Sequence, residues 1–263
     1  GSEMCIRDRY RHGPGRQRGF ESADQRTAAC QFTGAGTRPE ERLTGNPPDQ
    51  RPGADAPGSA PVTSISTQPS QILPNLFRDV HEETRLRVLH LGPACQDTID
   101  FFSGFRCRLR VIDLFSDLPI PPVEETDSGL DGHFQQLLQL DPDERFDLCL
   151  FWDLFNYLDA PALVGLLKVL TPRLADGCLG HGFSVHNPRT PQNQYIYGIR
   201  DSQTISLRPR TSAAPGYAPH SQNRLTELLQ GMKIERSVLL SDRRLELQLR
   251  SGERREPARR ATV

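Results

Sequence analysis

The chain has 263 residues and a formal net charge of −1 at pH 7. This balance does not indicate a basic surface for nucleic acid, and no apolar run approaches the length of a membrane span. The first residues also lack the apolar stretch of a signal peptide. We therefore expect a cytoplasmic protein with no membrane partner and no nucleic-acid partner.

The chain divides by composition into three parts. Residues 1–66 are rich in Gly, Pro and Arg and show no apolar periodicity, so we predict a disordered N-terminal extension. The segment SEMCIRDR near its start resembles translated sequencing-adapter remnants, which leaves two interpretations of residues 1–10, an artefact or a genuine basic arm. Residues 67–252 are predicted to form one domain, and residues 253–263 a disordered tail.

The cysteines point to a reducing compartment. None of the six forms a CxxC pair, and Cys107, Cys149 and Cys178 lie inside apolar runs. We expect buried thiols instead of disulfides or a zinc site. No carboxylate or cysteine stands at ligand spacing from His181 and His186, so no metal site is predicted.

The domain alternates between amphipathic segments and short, continuous apolar runs. In chain order we predict helix 67–83, strand 86–91, helix 97–105, strand 109–114, helix 133–140, strand 146–152, helix 160–174, strand 177–185, helix 221–231 and strands 233–240 and 243–250. Residues 187–219 form a long polar segment in which we expect a short hairpin or an insertion over the site.

This order predicts an α/β fold with a Rossmann-like, doubly wound and mostly parallel sheet. The last two strands form a hairpin, so one of them is antiparallel to the rest. No clear strand lies between Leu114 and Phe146, and the third strand of such a sheet is therefore expected to be reduced or absent.

Three residues stand at the carboxyl ends of the first three buried strands, namely Gly92, Asp113 and Asp153. Asp113 comes about 20 residues after Gly92, the spacing expected when two adjacent strands hold a nucleotide between their ends. Asp153 lies at the end of the next strand, beside the same crevice. Each also has a structural interpretation, since Gly92 could only make the turn and either acid could cap the turn that follows it.

The residues in this region resemble class I S-adenosylmethionine-dependent methyltransferases. VLHLGPACQ, residues 88–96, stands where that family has its glycine-rich first motif, and FDLCLFWDLFNYL, residues 146–158, is similar to its fourth. The resemblance implies S-adenosyl-L-methionine as cofactor and a methyl acceptor, a small molecule or a macromolecule, that the sequence does not identify. It implies cofactor contacts from Gly92, Pro93, Ala94, Asp113, Leu114 and Asp153.

The first motif departs from the family pattern at three positions. His90 stands where the family usually has an acid, and Ala94 and Gln96 stand where it has glycines. These changes support an alternative, a degenerate methyltransferase-like protein that acts as a non-catalytic binding or scaffold module. An open crevice beside Gly92 would favour the enzyme, and a crevice filled by Gln96 and its neighbours would favour the module.

Methyl transfer needs alignment of the acceptor more than a fixed set of catalytic groups. His186, at the end of the glycine-rich strand, is a candidate base or orienting group, and Tyr195 and Tyr197 are candidates to face the pocket. The alternative for His186 is an exposed loop residue. The absence of a GxGxxG motif counts against an NAD-dependent dehydrogenase.

Overall fold

The computed structural model describes residues 2–5, 65–81, 83–122 and 129–252, with the backbone alone for residues 2–5. The strands are β1 Ser2–Cys5, β2 Ser66–Pro69, β3 Leu86–Leu91, β4 Cys107–Ile112, β5 Phe146–Trp152, β6 Leu174–Val185, β7 Tyr195–Asp201, β8 Thr204–Pro209, β9 Met232–Leu239 and β10 Arg244–Ser251. The α-helices are α1 Leu73–Leu76, α2 Gln96–Ser103, α3 Gly129–Leu138, α4 Ala160–Leu170 and α5 Gln222–Leu228. Not one of these helices has the length and apolar character that crossing a membrane requires.

The larger sheet has seven strands in the order β1-β4-β3-β5-β6-β10-β9. β3 runs parallel to β4 and β5, and β5 runs parallel to β6, whereas β10 is antiparallel to both of its neighbours. Parallel strands are covered on both faces, and β3 and β5 are therefore almost continuously apolar. The predicted α/β, Rossmann-like and mostly parallel sheet, with its antiparallel C-terminal hairpin strand, is confirmed.

Strand β5 separates two apolar cores because its successive side chains point to opposite faces of the sheet. Leu148, Leu150 and Trp152 belong to the core shared with α1, α2 and strands β7 and β8. Cys149 and Phe151 belong to the core shared with α3, α4 and α5. Apolar cores thus cover both faces of the large sheet, and the carboxyl ends of its parallel strands are left to form a site.

The predicted insertion between residues 187 and 219 forms an antiparallel hairpin, β7–β8. β2 joins it on the other side to give a three-stranded sheet in the order β2-β8-β7. This sheet is tied to α2, since the backbone N–H of Ile199 donates to Thr98 Oγ1 at 3.0 Å. The hairpin therefore lies on the face of the large sheet that Trp152 also faces.

The helix predicted over residues 67–83 is wrong for most of its length. Residues Ser66–Pro69 form β2 and pair with β8, and only Leu73–Leu76 is α-helical. The Ser70 hydroxyl accepts hydrogen bonds from the N–H groups of Ile72 and Leu73 at 3.1 and 2.8 Å. Strand pairing and this local cap override the apolar spacing, which reflects burial of the segment.

Strand β1 forms the edge of the large sheet beside β4. Ser2–Cys5 pairs antiparallel with β4. Backbone groups of an edge strand accept any extended partner, which composition does not reveal. Between β4 and β5 no strand occurs in the described residues, as predicted. Residues 6–64 and 253–263 lie outside the described residues, as do the predictions of disorder made for them.

The close approach of β7 to Cys95, just before α2, predicts a sharp cost for Gly198→Ala. A Cβ at Gly198 would lie 2.5 Å from Cys95 Sγ and 2.7 Å from Ser206 Oγ. Overpacking of this kind costs about 1–3 kcal/mol, measurable as a lower urea midpoint. Gly252→Ala is the matched control, since a Cβ there meets nothing within 4 Å. Equal midpoints for the two variants would contradict the packing described.

Candidate functional site

The carboxyl ends of β3, β4 and β5 meet at Gly92. Its backbone N–H donates to the carbonyl of Ile112 at 2.8 Å, which joins the ends of β3 and β4. A Cβ placed on Gly92 would lie 3.3 Å from Trp152 Cδ1 and 3.7 Å from Phe115 Cε2. The rings of Trp152 and Phe115 therefore pack against Gly92, where the sequence predicts a crevice between Gly92, Asp113 and Asp153.

The turn after β3 keeps its polar side chains out of that crevice. Gln96 is exposed, and its Nε2 donates to Asp100 Oδ1 at 2.7 Å along the surface of α2. Pro93 is half-buried and Ala94 is exposed. His90 Nε2 lies 3.1 Å from the Pro93 carbonyl, and burial lowers the pKa of His90 to about 4. A neutral His90 thus donates to the turn, and Gln96 does not fill the site.

Asp113 caps the turn that follows β4. Its Oδ1 accepts from the backbone N–H of Phe115 at 3.0 Å, and the 3₁₀ turn covers Leu114–Asp117. The carboxyl is half-buried, and this burial raises its pKa. Leu114 is fully buried. The capping role is observed, whereas the ribose contact stays a prediction.

Asp153 does not cap the turn it begins. The 3₁₀ turn Leu154–Asn156 receives no side-chain hydrogen bond from it. The side chain is buried, and that burial raises the pKa of Asp153 to about 7. Trp152 before it has φ of 51°, a left-handed conformation that is rare for a bulky residue. Strained backbone and a perturbed carboxyl at a strand end are typical of functional sites.

Arg210 is a site residue that sequence reasoning missed. It follows β8, and its guanidinium carbon lies 4.1 Å from the centre of the Phe115 ring. Its Nη2 lies 3.8 Å from Asp153 Oδ1, with the two side chains 9% and 4% exposed. The polar character of residues 187–219 indicated an insertion over the site, but nothing in the sequence distinguishes Arg210 from its neighbour Arg208.

Residues 210–220, here called the strap, continue from Arg210 across the carboxyl end of β5. The Ala218 N–H donates to the Asn156 carbonyl at 2.8 Å, and the ring of Tyr217 lies 5.6 Å from that of Tyr157. Gln192 Nε2 donates to the Ala214 carbonyl at 2.6 Å. The strap therefore forms the outer wall of the region in which Asp153 lies.

The two candidate catalytic residues, His186 and Tyr195, lie in different parts of the fold. His186 is exposed, and its N–H donates to the Arg243 carbonyl at 3.2 Å, beside the start of β10. Tyr195 is half-buried at the start of β7. Tyr197, the other tyrosine considered, is buried and stacks on Trp152, with centroids 5.7 Å apart and planes 11° apart. Tyr197 thus contacts the Trp152 ring beside the site.

A second buried polar group lies deeper and pins the two sheets together. His181 Nε2 is 2.9 Å from Glu246 Oε1, and both side chains are 0% exposed. Ser70 Oγ also donates to this carboxylate, and the N–H of Gln71 donates to Glu246 Oε2 at 2.9 Å. Because all three residues are buried, we assign this set of Ser, His and Glu a structural role.

No protein-family model matches the chain, and no curated protein matches it in sequence. Among solved structures it is similar to the 1,6-didemethyltoxoflavin-N1-methyltransferase of Burkholderia thailandensis, crystallised with S-adenosylhomocysteine, at TM-score 0.40 and 16% identity over 69% of this chain and 76% of that one. Two further solved structures to which the chain is similar are also methyltransferases. The N-methyltransferase NodS of Bradyrhizobium japonicum gives TM-score 0.41 and 16% identity over 70% and 85% of the two chains. An S-adenosylmethionine-dependent methyltransferase of Mesorhizobium loti gives 0.40 and 15% over 69% and 98%. Function therefore has to be inferred from the chain's own strand order and side chains.

Proposed function

We propose that the chain is an S-adenosylmethionine-dependent methyltransferase. The observation that carries the proposal is the convergence of Gly92, Asp113 and Asp153 at the carboxyl ends of three adjacent strands. Ligands of open α/β sheets bind in such crevices, outside the carboxyl ends. The reversed strand β10 between β6 and β9 agrees with the resemblance of the sequence motifs to class I methyltransferases.

The residues at the crevice fit this cofactor. The missing Cβ at Gly92 lets the backbone lie close to the Trp152 ring, and the exposed Ala94 adds only a methyl group at the turn. The half-buried carboxyl of Asp113 suits ribose hydroxyls. Pro93, Leu114 and Asp153 would border the rest. When bound, the cofactor would supply a methyl group on a sulfonium. A lone pair of the acceptor would bond to the methyl carbon while the C–S bond breaks and its electron pair stays on sulfur.

A non-catalytic scaffold is the other candidate from the sequence. It was motivated by the altered glycine motif and the missing third strand, and a crevice filled by Gln96 and its neighbours would favour it. The Gln96 side chain instead bonds to Asp100 on the exposed face of α2. The enzyme is therefore the better supported proposal. Calorimetric titration of the full chain with S-adenosylmethionine and S-adenosylhomocysteine tests it, and absence of binding by either at millimolar concentration would overturn it.

The role of Asp113 is tested by Asp113→Asn. An amide oxygen can still accept from the Phe115 N–H, so the cap is kept while the negative charge that ribose hydroxyls would contact is lost. We expect affinity for S-adenosylhomocysteine to fall about tenfold or more, in line with the value of hydrogen bonds to charged groups. Asp117→Asn, on the exposed side of the same turn, should bind as wild type. Equal affinity of both variants would restrict Asp113 to capping.

A further inference from the structure

Asp153 and Arg210 form a buried pair in which each side chain has one polar atom without a hydrogen-bond partner among the described residues. Their closest atoms are 3.8 Å apart, beyond hydrogen-bond distance. Within the part of the chain that the structure describes, Asp153 Oδ1 and Arg210 Nε have no hydrogen-bond partner. A buried polar atom without a partner is costly and calls for an explanation such as a ligand.

The surroundings of the pair favour a small group between them. The Arg210 guanidinium lies over the Phe115 ring, and its Nη2 is 3.8 Å from Asp153 Oδ1. Arg244 is the other charged group acting on Asp153, and Tyr197 forms a hydrogen bond with its carboxyl. The phenols of Tyr157 and Tyr217 complete the titratable groups around it. One face of the site thus accepts a proton and the adjacent face supplies positive charge.

Resting on the proposed function, we infer that Asp153 and Arg210 bind the methyl acceptor by a hydroxyl group, so that the atom methylated is oxygen. The hydroxyl donates to Asp153 and accepts from Arg210 at the same time. In the step itself the O–H bond would break, its proton would move to the Asp153 carboxylate, and its electron pair would stay on oxygen. Arg210 would stabilise the oxygen anion so formed. That oxygen would then bond to the methyl carbon as the C–S bond breaks and its electron pair goes to sulfur.

Nitrogen acceptors fit this pair less well. An amine must keep its lone pair free for the methyl group, so it cannot also accept from Arg210. Its nitrogen gains positive charge during transfer, and a guanidinium beside it raises the energy of that state. Burial, which raises the pKa of Asp153 to about 7, makes its carboxylate a better proton acceptor than an exposed one near neutral pH.

The experiment compares 4-nitrophenol with 4-nitroaniline as probes of matched shape. Each is titrated into the full chain saturated with S-adenosylhomocysteine, and absorbance reports whether the bound phenol is ionised. We expect 4-nitrophenol to bind about tenfold more tightly than 4-nitroaniline and to show the phenolate band below the pH at which the free probe ionises.

Two variants locate the effect. Arg210→Gln should lose the phenolate band and about tenfold in 4-nitrophenol affinity, while Arg200→Gln, exposed at the end of β7, should behave as wild type. Equal affinity for the two probes, absence of the phenolate band, or an unchanged band in Arg210→Gln would each overturn the inference.

Titration of S-adenosylhomocysteine alone separates the inference from the function on which it rests. If wild type does not bind it, the methyltransferase proposal fails. If wild type binds it and Arg210→Gln does not, the pair contacts the cofactor and the hydroxyl-acceptor inference is wrong. Retention of cofactor affinity by Arg210→Gln, with loss of the phenolate band, supports both.

Discussion

Glu246→Ala is expected to lower the free energy of unfolding by about 3–5 kcal/mol, the cost of breaking a buried charged network. The carboxylate receives hydrogen bonds from Ser70 Oγ, the Gln71 N–H at 2.9 Å and His181 Nε2 at 2.9 Å. Alanine would leave all three groups buried without their partner. Because Ser70 and Gln71 precede α1 and His181 lies on β6, the loss would loosen the small sheet from the large one.

Urea denaturation of wild type and of Glu246→Ala measures this loss of stability. Glu235→Ala is the control, since Glu235 is an exposed residue of β9 that pairs with Arg250 on the surface. Such pairs contribute about 1 kcal/mol or less. If Glu246→Ala unfolded at the same urea concentration as Glu235→Ala, the network would have no structural role.

The network also makes the free energy of unfolding depend on pH. Burial alone would raise the pKa of Glu246, but hydrogen bonds from His181 and Ser70 hold it below its ordinary value. A carboxyl with a lowered folded pKa stabilises the protein above its unfolded pKa. That contribution is lost as the pH falls through the folded pKa. Wild type should therefore lose its advantage over Glu246→Ala in acid.

The main sheet could be predicted because its strands are apolar on both faces. β3 and β5 appear in the sequence as short, almost continuous apolar runs, and β3, β4, β5 and β6 each lie within a few residues of their predicted bounds. β2 and α1 could not be predicted in the same way. Ser66–Pro69 is a strand because β8, far along the chain, offers it an edge, and local apolar spacing carries no trace of that partner.

The site likewise contains residues that the sequence could predict and residues that it could not. Gly92, Asp113 and Asp153 could be found because each directly follows a strand, and parallel strands bring their carboxyl ends together. Arg210 comes from an insertion whose path over the sheet depends on contacts of α2 with β7, such as Thr98 with Ile199. Gln96, which could have filled the crevice, bonds instead to Asp100, because its place in the first turn of α2 puts that residue four positions ahead.

Asp153→Asn is expected to stabilise the protein at pH 8 by up to about 4 kcal/mol. Burial raises the pKa of Asp153 from 3.8 to about 7, and each tenfold change in an acid dissociation constant corresponds to about 1.4 kcal/mol. The folded pKa lies above the unfolded one, so between these values the folded state holds a proton that the unfolded state has released. Wild-type stability should therefore fall as the pH rises through this window and level off above it.

An amide at this position has no charge to bury, so Asp153→Asn should lack that decline, whereas Asp117→Asn on the exposed turn should keep it. Parallel urea curves at pH 5 and pH 8 measure the difference, and an identical decline in Asp153→Asn would show that another group causes it. A carboxyl that weakens the fold at neutral pH is retained most simply for its chemistry. The same variant should then be the more stable protein and yet leave no carboxylate to take the acceptor's proton, which joins the stability measurement to the proposed role of Asp153.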